Sequence, residues 1–232
     1  MPDTQNPGGY AVEEKRNLLR DAFDRALLVQ TSAIEKNIAR ARQRHPDASP
    51  AEVVRTLEKM YRAALSGSGA AVGAAAAVPG IGTGAALALS GGEMLSSLEL
   101  TTLFALSLAS IHGVRVDELE RRRALVMGIV VGGGGAEAIS KVAGRTGPHW
   151  AKNIIAKVPV SKLNQINKIL GRHFVTKYGT KQGIIVLGKV VPFGLGAAIG
   201  GGANLVLAET TIRASRYAFG DPPTSWSDQA DA

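Results

Sequence analysis

Two stretches of this chain are so poor in charge and so rich in glycine and alanine that they restrict the folds open to it. Between Ala63 and Ser110 the only charged residues are Glu93 and Glu99, and between Gly183 and Ala208 the only one is Lys189. Each stretch is interrupted by a Val-Pro step, Val78-Pro79 in the first and Val191-Pro192 in the second. Proline lacks the backbone donor and its ring collides with the preceding turn, so an apolar helix stops there and resumes beyond. The simplest reading is two Pro-broken helical hairpins, with Pro79, Gly80, Gly82 and Gly84 at the first break and Pro192, Gly194 and Gly196 at the second. With 28 Gly against 2 Trp, 4 Tyr and 5 Phe, the core must be packed largely from small side chains.

The rest of the chain also reads as helix. Residues 11 to 44 carry Leu18, Leu19, Ala22, Phe23, Ala26, Leu27, Ile34 and Ile38 at helical spacing, which predicts one long amphipathic helix stopped by Pro46. Ser49-Pro50-Ala51-Glu52 has a capping Ser, a Pro at the first helical position and a Glu three residues after the cap, opening a second helix through Val53, Val54, Leu57 and Met60. His112-Gly113 ends the arm that follows the first break, and Asp117 with Glu120 predicts another capped start leading into Arg121-Arg122-Arg123. Residues 141 to 182 read as short helices punctuated by Pro148, Pro159, Gly171 and Gly179, with Ser161 as a cap. No run alternates strictly with period two; Ala124 to Val131 and Gly183 to Val191 come nearest to strands. The expected class is all-α: a compact multi-helix bundle with two Gly/Ala-rich, Pro-broken apolar hairpins. It forms a single domain over residues 11–219, between disordered ends at 1–10 and 220–232.

Chemistry is sparsely encoded. With no cysteine, disulfides, thiolate catalysis and cysteine-based metal sites are excluded. The first nine residues lack the cationic and apolar regions of a secretory signal. Neither a nucleophile elbow, a zinc-protease helix nor a phosphate-binding loop is present. Gly80-Ile81-Gly82-Thr83-Gly84 follows an Ala run and a Pro, not a strand, so it reads as a helix break and not a dinucleotide loop. His45, His112, His149 and His173 lack ligand-like spacing and border helix ends, which predicts capping or exposure. No catalytic residue, cofactor or metal site is assigned. Glu93, Glu99, Glu137 and Glu209 are carboxylates set in apolar helices and must be paired, hydrogen-bonded or neutralised if buried.

Spanning a membrane takes about 20 predominantly apolar residues. The arm from Ala63 to Val78 is short and rich in Ala and Gly, and the arm after Pro79 contains Glu93 and Glu99. The hairpins are therefore expected to pack within the protein or dip into one leaflet. Five G-x-x-x-G pairs occur (Gly69/Gly73, Gly80/Gly84, Gly128/Gly132, Gly179/Gly183 and Gly196/Gly200) where composition alone gives roughly three, so they read as intramolecular packing. Charge is local: residues 141 to 182 hold seven Lys and two Arg with no Asp or Glu, although the whole chain is only +8. Lys152, Lys157, Lys162, Lys168, Arg172, Lys177 and Lys181 from this segment are candidates for contact with an anionic lipid surface. A solvated face comes second. Nucleic acid comes third, with Trp150, Phe174 and Tyr178 available to stack on bases.

Several motifs together resemble the bacterial EcsC family, named for a protein encoded beside an ABC transporter. They are Val78-Pro79-Gly80-Ile81-Gly82-Thr83-Gly84, His112-Gly113-Val114, Arg121-Arg122-Arg123-Ala124-Leu125, Lys189-Val190-Val191-Pro192-Phe193-Gly194 and Gly200-Gly201-Gly202-Ala203-Asn204. The resemblance covers roughly residues 50 to 219. It implies a helical, hydrophobic, membrane-associated bacterial protein and carries over no active site. The leading expectation is a non-enzymatic protein on the cytoplasmic side of the cell membrane, peripheral or shallowly inserted. It would bind anionic lipid or a membrane protein, or assist a transport system. The alternatives are a soluble, cytoplasmic helical enzyme or apolar-ligand binder with buried Glu93, Glu99 or Glu137, and, below that, a nucleic-acid adaptor.

Overall fold

Ser49 and Glu52 show how local chemistry starts a long helix of this protein. Ser49 donates its backbone N–H (2.8 Å) and its hydroxyl (2.8 Å) to Glu52 Oε2, and the Glu52 N–H returns to Ser49 Oγ at 3.4 Å. This closes the expected capping box, with Pro50 at the first helical position. The computed structural model describes residues 7–43, 45–76, 82–144, 148–189 and 195–227. Among them the regular elements are α1 (Pro7–Ala26), α2 (Thr31–Arg42), α3 (Pro50–Ala76), α4 (Gly82–Ile111), α5 (Leu119–Val131), α6 (Gly133–Ala143), a π-helical turn (Ala151–Ile155), α7 (Val160–Lys189) and α8 (Leu195–Phe219). The all-α class stands, with no strand among the described residues; both strand candidates are helical where described.

The most extensive packing is between α3 and α8. Glu58 meets Arg216, Arg62 meets Glu209, and Asn204 Nδ2 donates to the Leu65 carbonyl at 2.9 Å. Partner numbers fall on α8 as they rise on α3, so the two helices are antiparallel. On the other side of α3, Tyr61 stacks on Phe104 of α4 at 4.5 Å and its hydroxyl lies 2.8 Å from Thr101 Oγ1. Helix α4 touches α1, α2, α3, α5, α7 and α8. From Leu98 to Ile111 only Glu99 and Ser110 are exposed, as expected for a helix apolar around its circumference. Two of its buried hydroxyls bond back within the helix, Thr101 to the Ser97 carbonyl and Ser107 to that of Leu103, each at 2.7 Å, whereas the buried Thr102 hydroxyl has no partner.

Glycine sets two junctions. Gly113 (φ 68°) closes α4 with a Schellman arrangement, the Val114 N–H returning to the Ala109 carbonyl at 2.9 Å. Gly132 (φ 73°) turns α5 into α6. There the helices approach so closely that a Cβ on Gly135 would sit 2.5 Å from the Gly128 carbonyl oxygen, while one on Gly128 would meet Trp150 at 2.6 Å. Gly128 thus belongs to an intramolecular contact, as its spacing suggested.

The structure corrects several expected boundaries. The single helix over residues 11–44 is two, α1 and α2, because the chain turns at Leu27–Gln30. Leu27 is buried there, and Val29 gives its carbonyl to Arg122 Nη1 at 2.8 Å. Asp117 does not cap α5; Glu118 is the capping position, and its carboxylate bonds Arg121 instead of the helix backbone. The short helices expected around Gly171 and Gly179 form one helix of 30 residues, α7, since its stripe Leu163, Ile166, Leu170 and Phe174 is buried against its neighbours. Ser161 lies inside the first turn of α7, where the Leu163 N–H bonds the Pro159 carbonyl at 3.1 Å. Helix α1 starts at Pro7, inside the segment expected to be disordered. Nor does the chain peel away at residue 220: the Trp226 indole donates to the Ala48 carbonyl at 2.9 Å, and Arg42 lies 4.6 Å over its ring.

The expected hairpin breaks fall between α3 and α4 and between α7 and α8. Pro79, Gly80, Pro192 and Gly194 lie outside the described residues, whereas Gly82 and Gly84 are in the first turn of α4 and Gly196 in that of α8.

The α5–α6 approach makes a direct test. Gly135→Ala forces backbone apart and should destabilise by about 1–3 kcal/mol. Gly133→Ala has open space around its Cβ, and should be neutral or stabilise by up to about 1 kcal/mol. Urea melts of the two variants check the pair.

Candidate functional site

Antiparallel packing gathers the charge-poor arms at one end of the bundle. The end of α3 and the starts of α4 and α8 share a pole, because Tyr61 pairs with Thr101 and Leu65 with Asn204. The end of α7 joins them, since the five residues linking it to α8 reach at most about 20 Å. On α8 this end presents Leu205 and Val206, the latter 63% exposed. Below it lies a charged level, where Arg62 Nε pairs with Glu209 Oε1 and holds that carboxyl below its ordinary range. From Arg62 to Ala76, and from Leu195 to Glu209, the arms are about 21 Å long. No helix among the described residues is long and apolar enough to cross a membrane.

The basic segment divides. Lys157, Lys162, Lys168 and Arg172 are exposed, with Lys168 and Arg172 one turn apart on the outer side of α7. Lys152 is half-buried and leaves this set: its Nζ lies 3.4 Å from the Asp221 carbonyl oxygen, and burial lowers the ammonium's pKa against the opposing charge of Asp221. Lys177 and Lys181 lie farther along α7, their side chains outside the described residues. Trp150 and Phe174, candidates for base stacking, are each 1% exposed and belong to the core; the side chain of Tyr178 lies outside the described residues.

The arginine triplet is structural. Arg121 donates Nη1 to the Ile155 carbonyl and Nη2 to that of Val158 at 3.2 Å, capping the open end of the π-helical turn. Arg122 reaches the carbonyls of Val116 and Val29, both at 2.8 Å, and Arg123 pairs with Asp24 at 2.7 Å.

Of the carboxylates singled out by sequence, Glu99 borders an open cleft of about 480 Å³ with Leu28, Leu100 and Leu103. Glu99 and Glu137 are exposed, Glu209 is paired with Arg62, and the side chain of Glu93 lies outside the described residues. Among the described residues the buried carboxylate is Glu58, 4% exposed, which accepts a bidentate pair from Arg216: Nε to Oε1 at 2.8 Å and Nη2 to Oε2 at 2.6 Å. Its sequence signal is its place on the stripe Val54, Leu57, Tyr61 and Leu65 of α3.

Glu58 and Arg216 border a cleft of about 510 Å³ between α3, the end of α4, Pro148–His149 and the end of α8 with the segment after it. Ala51, Val54, Arg55 and Glu58 form one wall, at the i, i+3, i+4 and i+7 positions of one helix face. His112 lines the cleft too and corrects the expectation of exposure, being only 7% exposed and stacked 4.9 Å from Phe219. Its Nδ1 has no hydrogen-bond partner. Burial, with Lys152 and His149 nearby, pushes its pKa down to about 3. His149 holds a left-handed backbone (φ 63°), pinned by its N–H to the Tyr217 carbonyl at 2.8 Å. Its ring covers Gly220, where a Cβ would come 2.5 Å from His149 Nε2. Among the described residues no group of three or more His, Asp or Glu could hold a metal ion. Compared with protein-family models, curated proteins and solved structures, the chain matches none.

The His112 environment predicts acid sensitivity. Between about pH 6.5 and about pH 3 the unfolded chain binds a proton that folded His112 refuses, so stability falls as pH falls through that window. The slope from this group reaches about 1.4 kcal/mol per pH unit. His112→Gln should flatten it, which urea unfolding at neutral pH and at about pH 5 measures.

Proposed function

We propose that the protein is a non-enzymatic, peripheral membrane protein that rests its charge-poor pole in one leaflet and its basic helix face on anionic headgroups. The observation that carries this reading is the convergence of four helix ends from the two charge-poor stretches at one pole, flanked by exposed Leu205 and Val206. Arms of about 21 Å fall short of the roughly 30 Å hydrocarbon core, so the pole dips and does not span. Glu93, Lys181 and Lys189 on the same arms favour a shallow position, since a charge at the bilayer centre costs roughly 2.5–3.5 kcal/mol. Arg172 lies about 25 Å along α7 from its end, close to the level of the Arg62–Glu209 pair, where headgroup phosphates would meet it. The resemblance to the EcsC family supports the same placement, on the cytoplasmic face of a bacterial membrane.

Flotation on phosphatidylglycerol-containing and purely zwitterionic vesicles tests this reading. The protein should float with the anionic vesicles at low salt. Neutralising Lys168 and Arg172 to Gln should weaken binding by up to about fivefold per residue, the equivalent of about 1 kcal/mol each. Leu205→Asp with Val206→Asp should abolish what persists at high salt. Protein left at the bottom of both gradients would refute the proposal, as would binding insensitive to both sets of changes.

A further inference from the structure

The cleft beside the buried ion pair is a second site, far from the charge-poor pole. We propose that it binds a small organic anion, a carboxylate or phosphate monoester on a compact apolar body, with Arg55, the free edge of Arg216 and His112 as hydrogen-bond donors. This inference does not depend on the membrane reading.

Three observations converge. First, Glu58 consumes Nε and Nη2 of Arg216 and fixes the guanidinium plane, yet the side chain stays 62% exposed and its Nη1 has no partner. A guanidinium held flat by a buried carboxylate, with one edge open, is preorganised for an oxyanion. Arg55 lies one turn earlier on the same face of α3 and lines the same cleft. Second, His112 lines this cleft and its buried Nδ1 has no hydrogen-bond partner, a state that a ligand acceptor would relieve. The ring is neutral at physiological pH, and a neutral imidazole can carry its proton on Nδ1 and donate it to an oxyanion. Third, apolar side chains share the remaining wall with Ser215, Tyr217, His149 and Asp221. Val54, Leu108, Pro148, Phe219 and Pro222 face the cavity, and the volume of about 510 Å³ falls within the range of small-ligand sites.

Charge sets the sign of the ligand. Glu58 is neutralised by Arg216 and the Asp221 carboxylate has Lys152 nearby, while Arg55, beside Glu52 on α3, is exposed at the mouth. The left-handed His149 backbone is a strained conformation of the kind that persists at binding sites when its surroundings enforce it, and here Tyr217 and Gly220 do so. The chain after α8 completes the far wall: Gly220, Asp221 and Pro222 border the cavity and Trp226 anchors the segment to Ala48.

The test uses the full chain with benzoate, phenyl phosphate and benzyl alcohol as probes, following the imidazole nitrogens of His112 by NMR. Benzoate or phenyl phosphate should shift them saturably, and benzyl alcohol, which has the apolar body without the charge, should not. Arg55→Gln, on an exposed position that leaves the Glu58–Arg216 pair intact, should weaken binding about tenfold, equivalent to about 1.4 kcal/mol. Lys168→Gln, on the outer side of α7, should change nothing. The proposal is overturned if neither anion moves His112, if benzyl alcohol binds as well as the anions, or if Arg55→Gln binds like the unmodified protein.

Discussion

A carboxylate buried in the core without a partner would destabilise the fold by several kilocalories, and Glu58 escapes that cost only because Arg216 meets it with two parallel hydrogen bonds. The pair fixes the register of α3 against α8, from which the Arg62–Glu209 contact and the Asn204–Leu65 bond follow at successive turns. Small side chains alone would set that register loosely: glycine and alanine surfaces slide past one another with little change in contact. Directional polar contacts at three levels supply what the apolar surface lacks. The same register brings Phe219 over His112 and the chain after α8 across the start of α3, so the cleft exists because the ion pair does.

Much of the fold was legible in the chain because its signals were local. Ser49-Pro50-Ala51-Glu52 contains its own hydrogen bonds, and His112-Gly113 contains its own left-handed turn. What sequence reading missed depends on distant partners. Leu27 to Gln30 carries no breaker residue, and the chain turns there around a carbonyl that serves Arg122 from 93 residues away. Gly171 looks like a stop, but the burial of Leu163, Ile166, Leu170 and Phe174 outweighs one glycine, worth about 1 kcal/mol. Asp117 and Glu120 had the spacing of a capping box, yet Arg121 recruits Glu118 for another purpose.

The candidate sites divide in the same way. The exposed lysines of α7 were readable because exposure on an amphipathic helix follows from its period. Lys152 was not, since its turn toward Asp221 depends on where α8 ends. Glu58 sat in plain view on an apolar stripe, but helix charges usually lie at stripe edges, and only the position of Arg216 shows that this one lies inside. His112 follows the same logic: a helix-end histidine is normally wet, and this one is dry because α4 is the central helix and Phe219 covers its end.

The ties between α3 and α8 also have a consequence in time. Their partners are separated by 139 to 158 residues along the chain, so the central pairing has a high contact order, and closing so long a loop delays it. On the ribosome α3 and α4 emerge well before α8, leaving their charge-poor surfaces without a final neighbour while the intervening hundred or so residues are made. A nascent chain in that condition exposes apolar surface of the kind that chaperones bind. The order of synthesis thus leaves the apolar arms of α3 and α4 waiting for a helix that does not yet exist.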